Sequence, residues 1–416
     1  MRLTVRLVAF AALVAGLAFA LPAVADQAQP GVVSADPVDY TPHVLDGTVR
    51  AIAVVGDIVV VGGDFTRVTD AHRATGYRRN YLFAYRLRTG ELLDFAPALN
   101  GPVYALAAGP GGTVYAGGPF TGVAGTAQRG LTRFRLDTGE RLPTPSVNWG
   151  DVRTLVPSGP WLYVGGTFTG LGGVPRVALA RVSMATGAVD PGLDLRLTSP
   201  NLGRTKVEDL AVSPDGTRLV AIGALEYAQG VRRDQLVVAD TAANPVRPAD
   251  WYTTAYAADC RDNFDTYLRG VDFAPDGSYS VVVTTGRLVG AGRMCDTAAR
   301  FNLAGTGAHG PAWVNYTGGN TLYSVSVTGA AVYVGGHQQW MDNPYGNKSA
   351  GPGAVWRPGI AALDPTTGHA LAWNPTRTRG EGVRALVACP VGLLVGSDTD
   401  QLGHEYHGRI GMFPLA

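Results

Sequence analysis

A short unit built around a pair of glycines recurs along this chain and constrains its fold more than any other feature. In its clearest copy, residues 161–187, an apolar run ends at Gly-Gly, a polar turn follows, and a second apolar run ends at Thr-Gly. Other copies, some of them weaker, are residues 58–66, 114–121, 332–336 and 394–396. Repetition at this scale indicates an architecture of similar packed units rather than one large core.

Each unit also contains a tight turn between its first two apolar runs. Two of these turns are Pro-Asp-Gly, in which proline presets φ, aspartate bonds its own backbone and glycine accepts a positive φ. The seven turns are residues 56–57, 109–112, 158–160, 214–216, 275–277, 328–329 and 390–392. Four units carry a later Thr-Gly turn that ends at Gly90, Gly139, Gly187 or Gly368. Short apolar runs bounded by such turns indicate β-strands.

Four short strands per unit, at a spacing of roughly 50–60 residues and repeated seven times, predict an all-β, seven-bladed β-propeller with a kelch-like period. The last unit lacks its outer strand, and residues 39–49 resemble the end of the first unit at 94–103. We therefore expect the N-terminal strand to complete blade 7 and close the ring, which removes an open sheet edge. Residues 38–416 then form a single propeller domain, and residues 26–37 form a short linker.

Residues 1–25 have the pattern of a secretory signal peptide, with Arg2 and Arg6, an apolar stretch over 7–21 and a small-residue cleavage site at 23–25. No later stretch is apolar and long enough to span a bilayer. We expect a secreted monomer that is extracellular or associated with the cell surface. The 34 basic and 33 acidic residues nearly balance, which argues against a nucleic-acid-binding protein.

The three cysteines predict one disulfide. Cys389 lies in the apolar run 383–389, whereas Cys260 and Cys295 lie in polar, loop-like segments. An exported protein pairs its accessible cysteines. We therefore predict a disulfide between Cys260 and Cys295, with Cys389 buried and unpaired.

The repeat resembles that of a known group of proteins. The matching segments are VGGxFT at 61–66 and 164–169, AGGPFT at 116–121, the Thr-Gly turns, and residues 333–340, 373–375, 396–400 and 409–415. With these segments the chain resembles a family of exported actinobacterial β-propeller repeat proteins of uncharacterised function. The resemblance covers nearly the whole chain after residue 25. It implies the fold and an extracellular or surface-associated role, but no activity and no catalytic residue.

The template is interrupted most strongly in the sixth unit, where residues 337–357 replace a short turn. Aromatic rings beside amides and carboxylates suit sugars, because apolar faces stack and hydroxyl groups take hydrogen bonds. The predicted ligand-binding residues are His337, Gln338, Trp340, Asp342, Tyr345, Trp356, Arg357, His404 and His407. They lie on loops of blades 6 and 7, which ring closure places beside the loop of blade 1. The alternative is that the aromatic residues only pin a long loop to its blade.

Two aspartates form the candidate metal site. Asp398 and Asp400 resemble a fragment of a calcium loop, although the glycine and distal glutamate of an EF-hand are absent. A structural Ca²⁺ is one interpretation, and simple turn capping is the other. No other cofactor is predicted, and the spacing of the histidines matches no zinc signature.

The sequence favours a secreted, non-catalytic recognition or scaffold protein. Its expected partner is a glycan or another component of the cell envelope, bound through the loops of blades 6, 7 and 1. Two alternatives stay open: a secreted glycoside hydrolase or lyase with paired carboxylates in the channel, and a purely structural envelope protein. No serine-hydrolase elbow is present on a strand–helix turn, and no catalytic residue is predicted.

Overall fold

The computed structural model describes residues 28–257, 260, 264–286, 290–378 and 380–416. The predicted signal peptide lies outside these residues. Every regular element in the described chain is a β-strand, so the all-β class is confirmed. Among the same residues, the structure contains no helix with the length and apolar character needed to cross a membrane.

Seven antiparallel sheets of the described chain share one strand order, with the second strand between the first and the third. The three strands are Val49–Val55, Ile58–Gly63 and Leu82–Arg86 in sheet 1; Ala105–Gly109, Thr113–Gly117 and Leu131–Arg135 in sheet 2; Val152–Ser158, Trp161–Gly166 and Leu179–Ser183 in sheet 3; Lys206–Val212, Arg218–Ala224 and Leu236–Asp240 in sheet 4; Leu268–Phe273, Tyr279–Thr284 and Thr297–Asn302 in sheet 5; Leu322–Val327, Val332–Gly336 and Ile360–Leu363 in sheet 6; and Ala385–Cys389, Gly392–Gly396 and Ile410–Pro414 in sheet 7. Fourth strands are Arg141–Leu142 in sheet 2, Arg247–Pro248 in sheet 4 and Trp313–Tyr316 in sheet 5. In sheets 1, 3 and 6 a single bridge takes this place, at Leu92, Val189 and Ala370.

Shorter strands form the connections. They are His43–Val44, Arg67–Thr69 and Gly76–Arg78; Gly122–Val123 and Thr126–Ala127; Val147–Asn148, Gly170–Leu171 and Val174–Pro175; Tyr227–Ala228 and Val231–Arg232; Trp251–Tyr252 and Gly307–Ala308; Trp340–Met341 and Val355–Trp356; and Gln401–Leu402 and Glu405–Tyr406. In every unit but the fifth, a hairpin of these strands follows the second strand. Because the strands are antiparallel, each hairpin lies at the edge of its sheet where the first strand begins.

The glycine pairs allow neighbouring sheets to approach closely. A Cβ atom at Gly165 would lie 2.7 Å from Cγ1 of Val207 in the next sheet, and one at Gly396 would lie 2.5 Å from Cγ1 of Val49. The second glycine of a pair faces its own sheet, since a Cβ at Gly166 would lie 2.1 Å from the carbonyl oxygen of Asp151. The first strands of consecutive sheets contact one another, and the first strand of sheet 7 contacts that of sheet 1.

The outer edge of sheet 7 is paired with the N-terminal segment. Val33 forms a bridge with Leu415, the Ser34 amide donates to the Pro414 carbonyl oxygen at 2.8 Å, and the Val38 amide donates to that of Met412 at 2.9 Å. The pairing residues thus lie upstream of the predicted 39–49. Val33 and Ser34 are within the stretch expected to be a linker, and Val38 directly follows it.

The likeness between residues 39–49 and 94–103 has a different cause from pairing with sheet 7. Asp46 accepts a hydrogen bond from the Thr66 amide at 2.7 Å, and Asn100 accepts one from the Thr121 amide at 2.9 Å. Both side chains hold the turn that leaves the second strand of their sheet. The similar residues therefore reflect a shared connection, which precedes a first strand in both places.

The predicted disulfide between Cys260 and Cys295 is confirmed, with the two Cα atoms 5.4 Å apart. Both cysteines belong to a buried cluster with Trp251, Tyr256 and Tyr267. The bond joins the connection between sheets 4 and 5 to the segment that precedes the third strand of sheet 5. Cys389 is buried and unpaired.

Candidate functional site

The aromatic residues of the sixth unit form an exposed edge. Trp340 and Trp356 lie opposite each other in the sheet 6 hairpin, and their rings are 5.9 Å apart in an edge-to-face arrangement. Trp356 is 51% exposed and Tyr345 is 73% exposed. The hairpin therefore presents a large apolar surface to solvent, which its own packing does not cover.

Two other predicted residues of this loop, Gln338 and Asp342, belong to its framework. Gln338 is fully buried. It stands two residues after the last glycine of its pair, as do Phe65 and Phe168 in sheets 1 and 3. Asp342 accepts hydrogen bonds from the Asn315 amide group at 2.6 Å and from the Ala370 backbone amide at 3.0 Å.

Arg357 belongs to a repeated set of arginines that hold backbone carbonyl groups. Its guanidinium donates to the carbonyl oxygens of Trp356 and Leu371. Arg176 donates to the carbonyl oxygen of Asp190 in sheet 3, and Arg233 donates to that of Ala249 in sheet 4. This recurrence gives Arg357 a framework role, because the same contact occurs in units without an enlarged loop.

The predicted histidines lie apart from one another. Nδ1 of His337 is 2.7 Å from the Gly380 carbonyl oxygen. His404 has a positive φ of 70° at the tip of the sheet 7 hairpin, and its Nε2 is 3.3 Å from Oγ1 of Thr376. His407 is buried, with Nε2 3.0 Å from Oε1 of Glu405. Only His337 and His404 are thus partly accessible.

The loops of sheets 7 and 1 are in contact, as ring closure requires. The Arg73 guanidinium lies 4.6 Å from the centre of the Tyr406 ring, and the rings of His43 and Tyr406 are 4.9 Å apart. Burial lowers the pKa of His43, and the nearby His407 and Arg73 act in the same direction. The contact keeps His43 neutral and packs the two loops together.

The candidate calcium ligands make contacts other than those of a metal site. Asp398 accepts hydrogen bonds from the Glu381 amide at 2.6 Å, the Gly382 amide at 3.0 Å and Arg377 at 3.2 Å. Asp400 is exposed. Over the described ranges, no three His, Cys, Asp or Glu residues are grouped so that they could hold a metal ion. The contacts of Asp398 fit turn capping, and the calcium site stays a prediction.

A second group of polar residues surrounds a cavity between the first strands, and the sequence reading did not single it out. One residue comes from each sheet. In sheet order, they are Arg50, Tyr104, Arg153, Glu208, Arg269, Tyr323 and Arg384. We call this ring the central mouth.

A repeated local structure directs these side chains into the cavity. In five sheets the register between first and second strands shifts across the ring residue, as it does between Val49 and Ala51 around Arg50. Such a bulge re-aims a side chain. Each ring residue follows a fully buried Val or Leu: Val49, Val103, Val152, Val207, Leu268, Leu322 and Val383. A polar residue at this fixed place in seven apolar strands is the signal that could have revealed the ring.

Half of the central mouth is an ion-pair network around Glu208. Its carboxylate lies 2.9 Å from Nζ of Lys206, 3.4 Å from Arg153 and 3.8 Å from Arg269. Burial alone would raise the pKa of Glu208, but these three positive charges lower it below the usual value. Glu208 is therefore ionised and compensated at neutral pH.

The other half of the central mouth holds one closely paired arginine, Arg50, and one loosely paired arginine, Arg384. Arg50 forms an ion pair with Asp64 at 2.8 Å. The Arg384 guanidinium lies over the Tyr323 ring, 3.7 Å from its centre, and 3.7 Å from the carboxylate of Glu381. An N···O distance of this length is not a hydrogen bond.

Below the central mouth the cavity becomes apolar. Its wall includes Ile52, Leu106, Leu155, Val325 and Val387, and the opposite end is lined by apolar and proline residues that include Pro157, Pro214 and Pro275. The two ends of the passage therefore differ in chemistry, with charge concentrated at the end where the first strands begin.

Two buried carboxylates join neighbouring sheets near this passage. Asp209 accepts hydrogen bonds from the Thr154 hydroxyl group and the Val271 amide, and Asp272 accepts one from the Val327 amide. Burial raises the pKa of Asp209 to about 6 and that of Asp272 to about 7. Their oxygens hold the first strands of sheets 3 to 6 together.

Neither a protein-family model nor a curated protein sequence matches this chain.

Proposed function

We propose that the described chain is a seven-bladed β-propeller in which sheets 1 to 7 are the blades. The support is the shared strand order of the sheets and the succession of contacts between first strands, which returns from sheet 7 to sheet 1. In this arrangement the segment around Val33 supplies the outer strand of blade 7. The central mouth is then one opening of the axial channel.

We propose that this propeller is a secreted, non-catalytic recognition protein that binds a glycan of the cell envelope through the loops of blades 6, 7 and 1. The observation that carries the proposal is the exposed aromatic edge of Trp340, Trp356 and Tyr345. Trp356 and Tyr345 are more than half exposed, and aromatic rings with this exposure, beside a hairpin with its own backbone pairing, offer stacking surface to a sugar. The confirmed disulfide is compatible with an extracellular protein.

The enzyme alternative gains less support from the carboxylates at the channel. Glu208 is held by Lys206 and Arg153, and Asp209 accepts hydrogen bonds from Thr154, Leu210 and Val271. A glycosidase needs one acid that carries a proton to the leaving group and a second carboxylate with open access. Neither residue has both the access and the freedom from structural contacts that this chemistry requires.

The test is binding of the purified protein to cell-envelope polysaccharides, both as a pull-down and on a glycan array. We expect Trp356→Ala to reduce binding about tenfold or more, because a stacked aromatic anchor contributes strongly to affinity. The matched control is Trp149→Ala. Trp149 is 78% exposed but precedes the first strand of sheet 3, outside the loops of blades 6, 7 and 1.

Three results would count against this proposal. Equal binding by the parent protein and Trp356→Ala would remove the site from sheet 6, and equal losses in both tryptophan variants would indicate nonspecific adhesion. Failure of the parent protein to retain any envelope polysaccharide would favour the purely structural alternative.

A further inference from the structure

The central mouth is a strongly charged cavity lining that has no role in the function proposed above. Four of its seven ring positions are arginine, two are tyrosine and one is glutamate. A cavity of about 240 Å³ extends inward from the ring. Since drug-sized ligands occupy roughly 300–1,000 Å³, this space suits a small group such as one sugar ring.

The negative charge of Glu208 does not prevent an anion from binding in the cavity. Lys206, Arg153 and Arg269 surround its carboxylate at 2.9, 3.4 and 3.8 Å. These three cations outnumber the single charge of Glu208, and Asp151 and Asp265 lie at the margin of the same network. The negative charge is therefore balanced within the wall.

Arg269 and Arg384 retain donors that their carboxylate neighbours do not use. Among the described residues, the nearest carboxylate oxygen lies 3.8 Å from Arg269 and 3.7 Å from Arg384, which is too long for a hydrogen bond. Both line the cavity, and they come from sheets 5 and 7, on either side of Tyr323 in sheet 6. An arginine fork matches the geometry of a carboxylate, to which it can donate two parallel hydrogen bonds.

Aromatic contacts hold the arginines in place and add apolar surface. Arg384 stacks on Tyr323 with the guanidinium 3.7 Å from the ring centre, and Arg50 lies 5.4 Å from the ring centre of Tyr104. A guanidinium fixed in this way loses less freedom when it binds a ligand. Tyr104 and Tyr323 line the same cavity as the arginines, so a sugar bound there can contact an aromatic ring.

We propose that the central mouth binds a sugar ring that carries a carboxylate, as in a uronic acid unit. Arg269 and Arg384 bind the carboxylate, and Tyr323 contacts the ring. The choice of a saccharide rests on the recognition function proposed above. The residues are separate from the aromatic edge of sheet 6, so the two sites can be tested independently.

The test compares D-glucuronate with D-glucose by isothermal titration calorimetry on the full secreted protein at low ionic strength. We expect glucuronate to bind, glucose to show no measurable binding, and added NaCl to weaken the glucuronate complex because salt screens the charges. Arg384→Gln should weaken glucuronate binding about tenfold or more, the usual effect of losing a charged hydrogen bond. Arg384→Lys keeps the charge but loses the fork, and it should restore only part of the affinity.

The control variant is Arg129→Gln, which removes an exposed arginine in the connection before the third strand of sheet 2 and should leave binding unchanged. Arg269→Gln gives an independent reading if Arg384→Gln does not fold. Equal binding of glucose, or undiminished affinity in both arginine variants, would overturn the proposal. Inorganic phosphate binding as tightly as glucuronate would overturn the assignment to a sugar carboxylate.

The two proposed sites fail in distinguishable ways. Trp356→Ala should leave glucuronate affinity unchanged, because Trp356 does not line the central mouth. Glucuronate binding without an effect of Trp356→Ala on polysaccharide retention would contradict the aromatic site alone. Loss of retention in Trp356→Ala together with no glucuronate binding would contradict the central-mouth site alone.

Discussion

At the scale of single residues, the glycine pairs illustrate what a repeat can and cannot reveal. Their recurrence indicates close packing, but the sequence does not say what approaches each glycine. The structure separates the two positions: the first glycine accommodates a valine of the next sheet, as Gly165 does for Val207, and the second accommodates backbone of its own sheet, as Gly166 does for Asp151. The packing partner of each valine is thus a glycine roughly 40 residues away, and a local sequence pattern does not show this pairing.

This packing predicts a cost for adding one methyl group at Gly165. A Cβ there would lie 2.6 Å from Thr154 Cγ2 and 2.7 Å from Val207 Cγ1, so both strands must shift. We expect Gly165→Ala to lower the free energy of unfolding by about 1–3 kcal/mol, the usual range for overpacking, as measured by urea denaturation. Gly76→Ala is the control, since nothing lies within 4 Å of its Cβ position and its φ is not positive. A midpoint for Gly165→Ala equal to that of the control would contradict the close approach.

The central mouth shows the opposite limit at the residue scale. Arg50, Glu208 and Tyr323 differ in charge and shape. A search for one side-chain type that recurs in every unit therefore does not find this position. What they share is their place after a buried residue and across a bulge. The sequence could have shown a polar position in each first strand. It could not have shown which arginines form ion pairs with carboxylates from other connections.

At the scale of elements, the all-β class and the cysteine pair could be predicted because they depend on local signals, namely turn chemistry and the polarity of loops. The strand that covers sheet 7 could not be located so well. Residues 39–49 match the end of the first unit, yet the pairing residues lie between Val33 and Val38. The match arose from Asp46 and Asn100, whose side chains cap equivalent turns. The position of a short edge strand with little sequence pattern of its own depends on the sheet edge with which it pairs.

The N-terminal strand should therefore be a measurable source of stability. Val33 is buried against sheets 6 and 7, and its amide donates to the Tyr333 hydroxyl group at 2.9 Å. We expect a protein that begins at residue 39 to lose about 3 kcal/mol or more, since one buried valine alone contributes roughly 1.5–3 kcal/mol. The exposed edge of the strand Ile410–Pro414 should also promote self-association.

Differential scanning calorimetry and light scattering provide the measurements for this truncation. The control begins at residue 28 and retains every described contact of the strand. Identical melting temperatures for the two proteins, with no self-association of the shorter one, would show that sheet 7 does not depend on this segment.

At the scale of the whole molecule, the contacts between sheets are mostly apolar, but sheets 3 to 6 are also joined by buried carboxylates. Asp272 accepts hydrogen bonds from the amides of Val327 in sheet 6 and Phe273 in its own sheet. A buried carboxylate is harder to ionise than one in water, and burial raises the pKa of Asp272 to about 7. The same cause raises the pKa of Asp209 to about 6. The stability of the contacts between these sheets consequently depends on pH.

The direction of this dependence follows from proton linkage. In the unfolded chain an aspartate has a pKa of about 3.9, so between about pH 4 and pH 7 the folded protein holds protons on Asp209 and Asp272 that the unfolded chain has released. The free energy of unfolding therefore falls as pH rises through this window and levels off above about pH 7. His43 acts in the opposite sense. Because its pKa is lowered in the folded protein, the unfolded chain binds the proton more readily, and this group favours the folded state as pH rises.

Because several groups titrate together, the informative quantity is the difference between a variant and the parent protein. Asp272→Asn cannot lose a proton, so between pH 5 and pH 7 its stability should decline by about 2 kcal/mol less than that of the parent. Its absolute stability should be lower. The two carboxyl oxygens of Asp272 accept hydrogen bonds from two backbone amides, and asparagine replaces one of these oxygens with an NH₂ donor. Asp276→Asn is the control: hydrogen bonds from Ser278 lower the pKa of Asp276, so its titration falls below this window. Urea denaturation at closely spaced pH values gives the slopes, and parallel curves for the parent and Asp272→Asn would mean that Asp272 is already ionised at pH 5 in the folded protein.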